Sequence, residues 1–416
     1  MIPLRFLCAL LPPLLAAPAT AQAPRPAATR VALPWPDPPP VAESRARVAA
    51  ITALGRDLFF DPALSASGRE ACATCHDPRF GFSPSNADPV QPGGATLEQV
   101  GTRAVPSLSY AQFSPAFNEH YYESDEDGDG SVDAGPTGGF TWDGRASRAR
   151  DQARLPLLAA NEMANASPAA VVTRLAAGPH AAALRALYGQ DVFTDTTRAF
   201  DAVLEALEVF QQDPATFAPF TSKYDAWLRG QVQLTAAEDR GRQLFEDPDK
   251  GNCAQCHKSR PAADSLPLFT DFGLVALGVP RNTAIPANRD PGYFDLGLCG
   301  PERRDLADHA EYCGLFKTPS LRNVALRKSF FHNGVIHSLH DAVAFYAERD
   351  VAPQRWYPTG PDGKVRKFDD LPAQYWENVN EDPPFGGAPG DAPHLSPAEV
   401  DDVVAFLQTL TDGYKP

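Results

Sequence analysis

Methionine is nearly missing from this chain of 416 residues. Beyond the initiator there is only Met163, so any later site that would use a thioether sulfur as a ligand has none available. Histidine is also sparse, nine in all, and none occurs between His76 and His120. After the first twenty residues no apolar run approaches the ~20 needed to cross a bilayer, which excludes a membrane-spanning helix from the rest of the sequence. Positive charge is in deficit, with 37 Lys and Arg against 52 Asp and Glu. The formal charge of -15 argues against a nucleic-acid binder; it fits a basic protein partner or a solvated acidic surface.

Proline is the excess, at 42 residues, nearly twice the usual share of about 5%. It implies a loop-rich protein. Residues 1–23 read as a secretory signal: Arg5, an apolar stretch from Phe6 to Ala17, then small residues ending at Ala21 or Ala23. Residues 24–41 hold seven prolines and should form an extended lead. Cys8 leaves with the signal, so six of seven cysteines remain. Of these, Cys299 and Cys313 are either two buried thiols or, in an oxidising compartment, a disulfide worth on the order of 3 kcal/mol.

The other four stand in Cys72-Ala73-Thr74-Cys75-His76 and Cys253-Ala254-Gln255-Cys256-His257. A Cys-x-x-Cys-His run is the shortest sequence that can hold a haem by two thioether bonds and also supply an iron ligand. A redox dithiol or one zinc shared by four thiols are the alternatives, but neither explains a histidine directly after both pairs. Attachment of c-type haem outside the bacterial cytoplasm agrees with the signal and places the protein in the periplasm. Before the first motif stands Gly55-Arg56-Asp57-Leu58-Phe59-Phe60-Asp61-Pro62, and before the second Gly241-Arg242-Gln243-Leu244-Phe245-Glu246-Asp247-Pro248, identical at six of eight positions. The chain is an internal duplication with one haem in each half. Apolar residues at three- and four-residue steps from Val48 to Phe59 predict a helix that Pro62 stops, and Thr235 with Glu238 predicts a capping box on its counterpart.

Asp125, Asp127, Asp129 and Asp133, with Gly130 between, reproduce positions 1, 3, 5, 9 and 6 of an EF-hand-type calcium loop, although Pro136 replaces the bidentate glutamate at position 12. Glu123 could lend the missing carboxylate. The alternatives are a calcium site and an unliganded acidic turn.

With both haem motifs, Trp142-Asp143-Gly144-Arg145 between them, Gln152 to Met163, Phe316 to Val324 and Phe331-His332-Asn333-Gly334, the sequence resembles the bacterial dihaem cytochrome c peroxidase and MauG family over nearly all of the mature chain. The resemblance implies a mainly α-helical fold of two c-type cytochrome-like haem domains with long loops and little sheet. The expected boundaries are 42–225, containing an acidic insert at 121–139, and 226–416. It implies two covalently bound haems c, with calcium as a further candidate, and hydrogen peroxide as substrate. Many relatives block the first iron with a histidine some fifteen to twenty residues after the motif. Here none is available before His120, so that iron should be open. Glu162 falls at the family's distal glutamate, with Gln152 and Pro156 at the other pocket positions; outside the family match, Glu162 would read as a surface carboxylate. Trp142 falls at the indole between the haems, as an electron relay or as simple aromatic burial.

For the second iron the resemblance points to Tyr346, 89 residues after His257, with His332, His337 and His340 as rivals. Phenol ionises near pH 10, so a phenolate at pH 7 costs roughly 4 kcal/mol, which a ferric ion can supply. Such a ligand favours the higher oxidation states of iron, so this haem should store an oxidising equivalent. The family's inter-haem calcium pattern is broken here: Ala104 stands in place of an asparagine, and Arg327-Lys328-Ser329 in place of Thr-x-Pro. Three outlets follow: peroxide reduction with electrons from a small cytochrome or cupredoxin, oxidation of tryptophan or tyrosine in a protein substrate, and plain electron carriage.

Overall fold

The computed structural model describes residues 41–124, 131–261 and 265–416. The signal, all of the proline-rich lead except Val41, and calcium-loop residues Asp125, Asp127 and Asp129 lie outside them; Val41 already belongs to the first helix. Eleven α-helices occur among the described residues, α1 Val41–Phe59, α2 Cys72–Cys75, α3 Ala149–Leu158, α4 Pro168–Ala177, α5 Ala181–Tyr188, α6 Thr196–Gln211, α7 Pro214–Phe217, α8 Lys223–Leu228, α9 Ala236–Glu246, α10 Leu339–Glu348 and α11 Pro397–Gln408. Among the described residues sheet is confined to three two-stranded antiparallel ribbons, one of which pairs Tyr122 with Asp133. The fold is therefore mainly α with little sheet, and no helix among the described residues is long and apolar enough to cross a membrane.

Local chemistry sets the helix ends. The Thr235 hydroxyl accepts from the Glu238 amide and the Glu238 carboxylate accepts from the Thr235 amide, a reciprocal cap on α9. Ser338 caps α10 and Ser396 caps α11 in the same way at their hydroxyls. At the end of α1 Pro62 cannot continue the helical hydrogen bonding, and Asp61 instead caps a short 3-10 turn.

The duplicated octapeptide explains how each half closes. Gly55 lies so close to α6 that a Cβ there would sit 1.9 Å from the Ala206 carbonyl oxygen; at Gly241 a Cβ would sit 1.9 Å from that of Asp402 on α11. Only glycine permits that approach, so α1 packs on α6 and α9 packs on α11 backbone to backbone. The Phe of each repeat then enters a group of four rings. Phe59 meets Phe82, Phe210 and Phe217, with centroids 6.0, 5.5 and 6.3 Å away. Phe245 meets Phe269 and Phe406 at 6.1 and 5.3 Å, and Tyr224 completes that set, 5.3 Å from Phe269 and 5.4 Å from Phe406. One buried core runs from Ile51 to Phe217 and a second from Tyr224 to Leu410.

The halves are stitched reciprocally. The Lys317 amide donates to the Trp142 carbonyl at 2.8 Å, and the Ala104 amide donates to the His332 carbonyl at 2.6 Å. Arg103 spans the seam with bonds of 2.6 Å to Asp143 and 2.6 Å to Asp295, all three side chains nearly buried.

Candidate active site

Both Cys-x-x-Cys-His motifs are built alike. Nδ1 of His76 lies 3.0 Å from the Phe82 carbonyl oxygen, and Nδ1 of His257 lies 3.0 Å from that of Phe269. A carbonyl only accepts, so each Nδ1 carries the proton and each Nε2 keeps its lone pair for a metal. Withdrawal from water lowers both imidazoles to about 4, so both are neutral at pH 7. The two carbonyls are aimed by matching backbone, Phe82 and Phe269 having left-handed φ values of 55° and 54°. The carbonyl just before each phenylalanine is held by a serine, as the Ser107 hydroxyl donates to the Gly81 carbonyl at 2.5 Å and the Ser320 hydroxyl to that of Leu268 at 2.6 Å.

Cys72, Cys75, Cys253 and Cys256 carry no disulfide, whereas Cys299 and Cys313 are bonded to each other. Among the described residues no cluster of three or more His, Cys, Asp and Glu suited to a metal ion forms, so the two pairs do not converge on one zinc. Two unoxidised thiols, a neutral histidine with a free lone pair and, in the second half, a cavity lined by Cys253, Cys256, His257 and Tyr346 fit an iron porphyrin held at its edge and at its metal.

Past the motifs the halves part. Phe140 pairs with Ala146 as Phe330 pairs with Ile336, an offset of 190 residues (330 minus 140). The same offset relates the left-handed Thr141 and Gly144 to Phe331 and Gly334, and the ten-residue helix α3 to the ten-residue α10. Trp142 thus corresponds to His332, Gln152 to Ala342 and Pro156 to Tyr346. In the second half the Tyr346 phenol projects into the cavity, stacked on Phe385 at 5.1 Å. Burial and the nearby Cys253 and Cys256 raise it, so a phenolate there requires a cation at hand. In the first half the matching residue is Pro156, inside α3, which has nothing to ligate with.

Glu162 follows α3 in a tight turn. Its amide donates to the Ala159 carbonyl at 3.1 Å, and its own carbonyl accepts from the Gly94 amide at 2.6 Å. Gly93 passes so close that a Cβ there would meet the Glu162 Cα at 3.0 Å. The carboxyl is raised above the ordinary carboxylate range, first by burial and then by Glu302, against the lowering effect of Arg145. The residue as a whole is nonetheless exposed, while protein crowds the surroundings of its carboxyl. Arg145 is itself shared, 2.8 Å from Asp143 and 3.7 Å from Glu302. Gln152 and Pro156 are half-buried on the same helix.

Trp142 is 8% exposed and its Nε1 donates to the Ala104 carbonyl at 2.7 Å. It lines the same cavity as His257 and Tyr346, at the seam of the two halves. Its counterpart His332 lies flat on Phe316, with centroids 3.5 Å apart. His120 stands just before the Tyr122–Ser124 strand, exposed, with Nδ1 2.8 Å from the Asp133 carboxylate. His337 and His340 are exposed, and His340 faces Asp401. Where the sequence departs from the family's calcium pattern, Arg327 donates to the Ser83 hydroxyl at 3.1 Å and to the Val105 carbonyl at 3.2 Å. Its guanidinium is lowered to about 10 by burial. Sequence reasoning passed over Glu70, a buried acid two residues before Cys72; the one available signal was a charged residue directly ahead of an apolar attachment motif.

Residues 49–233 match the family model described as di-haem cytochrome c peroxidase. The chain is 36% identical over 391 residues to the methylamine utilization protein MauG of Paracoccus denitrificans, covering 88% of this chain and 90% of that protein. It is 30% identical to the cytochrome c551 peroxidase of Pseudomonas aeruginosa, covering 72% of each. The crystal structure of the diheme peroxidase BthA from Burkholderia thailandensis superposes with a TM-score of 0.78 at 41% identity, covering 87% of this chain and 86% of that one.

Proposed function

Because this chain belongs to the di-haem cytochrome c peroxidase family, which includes MauG, we propose that it is a periplasmic dihaem c-type peroxidase. It reduces hydrogen peroxide to water in its first half with electrons from a small redox protein, one peroxide taking up two electrons and two protons and leaving two waters. The haems, attached through Cys72 and Cys75 and through Cys253 and Cys256 with His76 and His257 as iron ligands, supply the iron that activates peroxide and the capacity to hold oxidising equivalents. The observation that carries this reading is the pair of equivalent positions in which one half has Pro156 and the other Tyr346. A side chain with no donor leaves space for a small substrate, while a phenol in the matching place closes the second iron to it.

Glu162 takes the proton from one peroxide oxygen and returns it to the departing oxygen, as a carboxyl of raised affinity in a pocket can do. It must be ionised to act as the base, so the rate should fall with pH as Glu162 protonates, at a point above the ordinary carboxylate range. Gln152 and Pro156 bound the pocket and orient the substrate. Trp142, hydrogen-bonded at its indole and facing the second cavity, passes electrons between the halves. The Asp125–Asp133 loop is the candidate calcium site.

A second reading has support of its own. Tyr346 would offer the second iron an anionic oxygen in place of a sulfur, and the relative in Paracoccus is MauG; both favour oxidation of tryptophan or tyrosine in a partner protein as the electron source. Stoichiometric peroxide added to the resting ferric protein tests both. A spectral change at the first haem that a reduced small cytochrome reverses rapidly supports the peroxidase, a long-lived change with slow cytochrome turnover supports the second reading, and no change leaves an electron carrier.

A further inference from the structure

Glu70 is 5% exposed, and its Oε2 has no hydrogen-bond partner. A buried carboxylate oxygen with no donor is costly, by about 1–3 kcal/mol or more, unless the group holds a proton or exchanges one. Its loop is fastened to the turn that carries Glu162. The Asn165 side-chain amide donates to the Leu64 carbonyl at 2.8 Å, the Ala66 amide donates to the Met163 carbonyl at 2.8 Å, and the Glu70 amide donates to the Ser65 hydroxyl at 3.2 Å. These bonds tie the loop that carries Glu70 to the turn that carries Glu162, next to the first attachment motif. The adjacent Gly68 and Arg69 are exposed, so water lies close behind Glu70.

We propose that Glu70 is a second proton-handling carboxyl of the first haem site, set behind Glu162 and delivering to it one of the two protons that each peroxide consumes. This rests on the peroxidase reading above. Glu162 only moves the substrate's own proton from one oxygen to the other, so both protons consumed must come from outside. Glu70 gives one O–H proton to the Glu162 carboxylate and is recharged from solvent; the two electrons come from the donor protein. The groups that face the pair are few. Glu70 feels Glu162 and its charge acts on the Cys75 thiol, and Glu162 feels Arg145 and Glu302. Two acids so placed do not both ionise readily, and Glu70 is raised to about 7, first by burial and then by Glu162, which leaves it near half-protonated at neutral pH.

Infrared titration of the holoprotein and its turnover with a reduced cytochrome test this together. The wild type should show a protonated-carboxyl band that disappears as pH rises through about 7, and turnover should decline over the same range. Glu70→Gln should lose the band and run roughly tenfold slower, with no decline across that range, and Glu70→Asp should restore part of the slope. A band unchanged in Glu70→Gln, or a decline that persists in it, overturns the proposal. Should Glu70→Gln fail to take up haem, Glu162→Gln reports on the same pair: the midpoint of the remaining band falls if the two are coupled, and stays in place if they are not. A wild type that shows the band but no reaction with peroxide would sink the peroxidase reading and leave the coupled pair standing.

Discussion

The two halves of this protein share their scaffold and differ at their working positions. Glycine against a facing helix, a repeated phenylalanine in a group of four rings, and a histidine whose Nδ1 is held by the carbonyl of a left-handed phenylalanine occur in both. Beyond Phe140 and Phe330 the same backbone path carries Trp142, Gln152 and Pro156 in one half and His332, Ala342 and Tyr346 in the other. Duplication preserved what holds a flat cofactor in place, because those contacts are set by close packing and tolerate little change. The positions of Trp142, Gln152 and Pro156 and of their counterparts are free of that constraint, and there the two copies diverged.

The largest expected effect tests the open side. Glu162→Gln should lower the rate of reaction with peroxide by about 10² to 10⁴ while both haems stay bound, measured by stopped-flow mixing with the ferric protein; a retained rate would demote Glu162 to a structural residue. Next come exchanges between the halves. Tyr346→Phe should convert the second iron to a high-spin state in the resting optical and magnetic spectra, giving two open sites. Pro156→Tyr should place a phenol at the equivalent point of the first half, turn that iron low-spin and cut its reaction with peroxide at least about tenfold. If the spectra of both variants match the wild type, the correspondence of the two positions has no functional meaning.

Smaller effects probe the shared scaffold. Removing the Cys299–Cys313 bond, which lies in the second half alone and spans 14 residues, should cost roughly 3 kcal/mol in chemical denaturation. Gly55→Ala and Gly241→Ala each drive a methyl into a facing carbonyl and should cost about 1–3 kcal/mol apiece. A clear inequality between the two would show that one helix pair yields where the other does not.

Much of this was legible in the chain. Cys-x-x-Cys-His is a local signal, and the octapeptide repeat carried the duplication because its glycine, leucine and phenylalanine each do a packing job that admits few substitutes. The mainly helical class followed from the same elements. Less visible was the second repeat, Phe140 to Ala146 against Phe330 to Ile336, since those segments share little besides a leading phenylalanine and a glycine; what they have in common is a backbone shape. Glu70 was illegible for a different reason. Its meaning depends on burial and on a missing partner, and neither has a pattern in sequence. His120 is exposed and pairs with Asp133, a contact set by the pairing of two short strands and by no local pattern.

By itself the sequence determined that the chain carries two Cys-x-x-Cys-His motifs, one for each haem of the family, and that no methionine follows the second; these follow from short motifs and from counting. Tertiary structure alone decided which residues of one half stand opposite those of the other, that Trp142 lies at the seam and lines the cavity of the second half, and that the loop carrying Glu70 is bonded to the turn carrying Glu162. The physical reason is range. Attachment chemistry acts over five consecutive residues, whereas a proton or an electron moves between groups that only the packing of distant segments brings together.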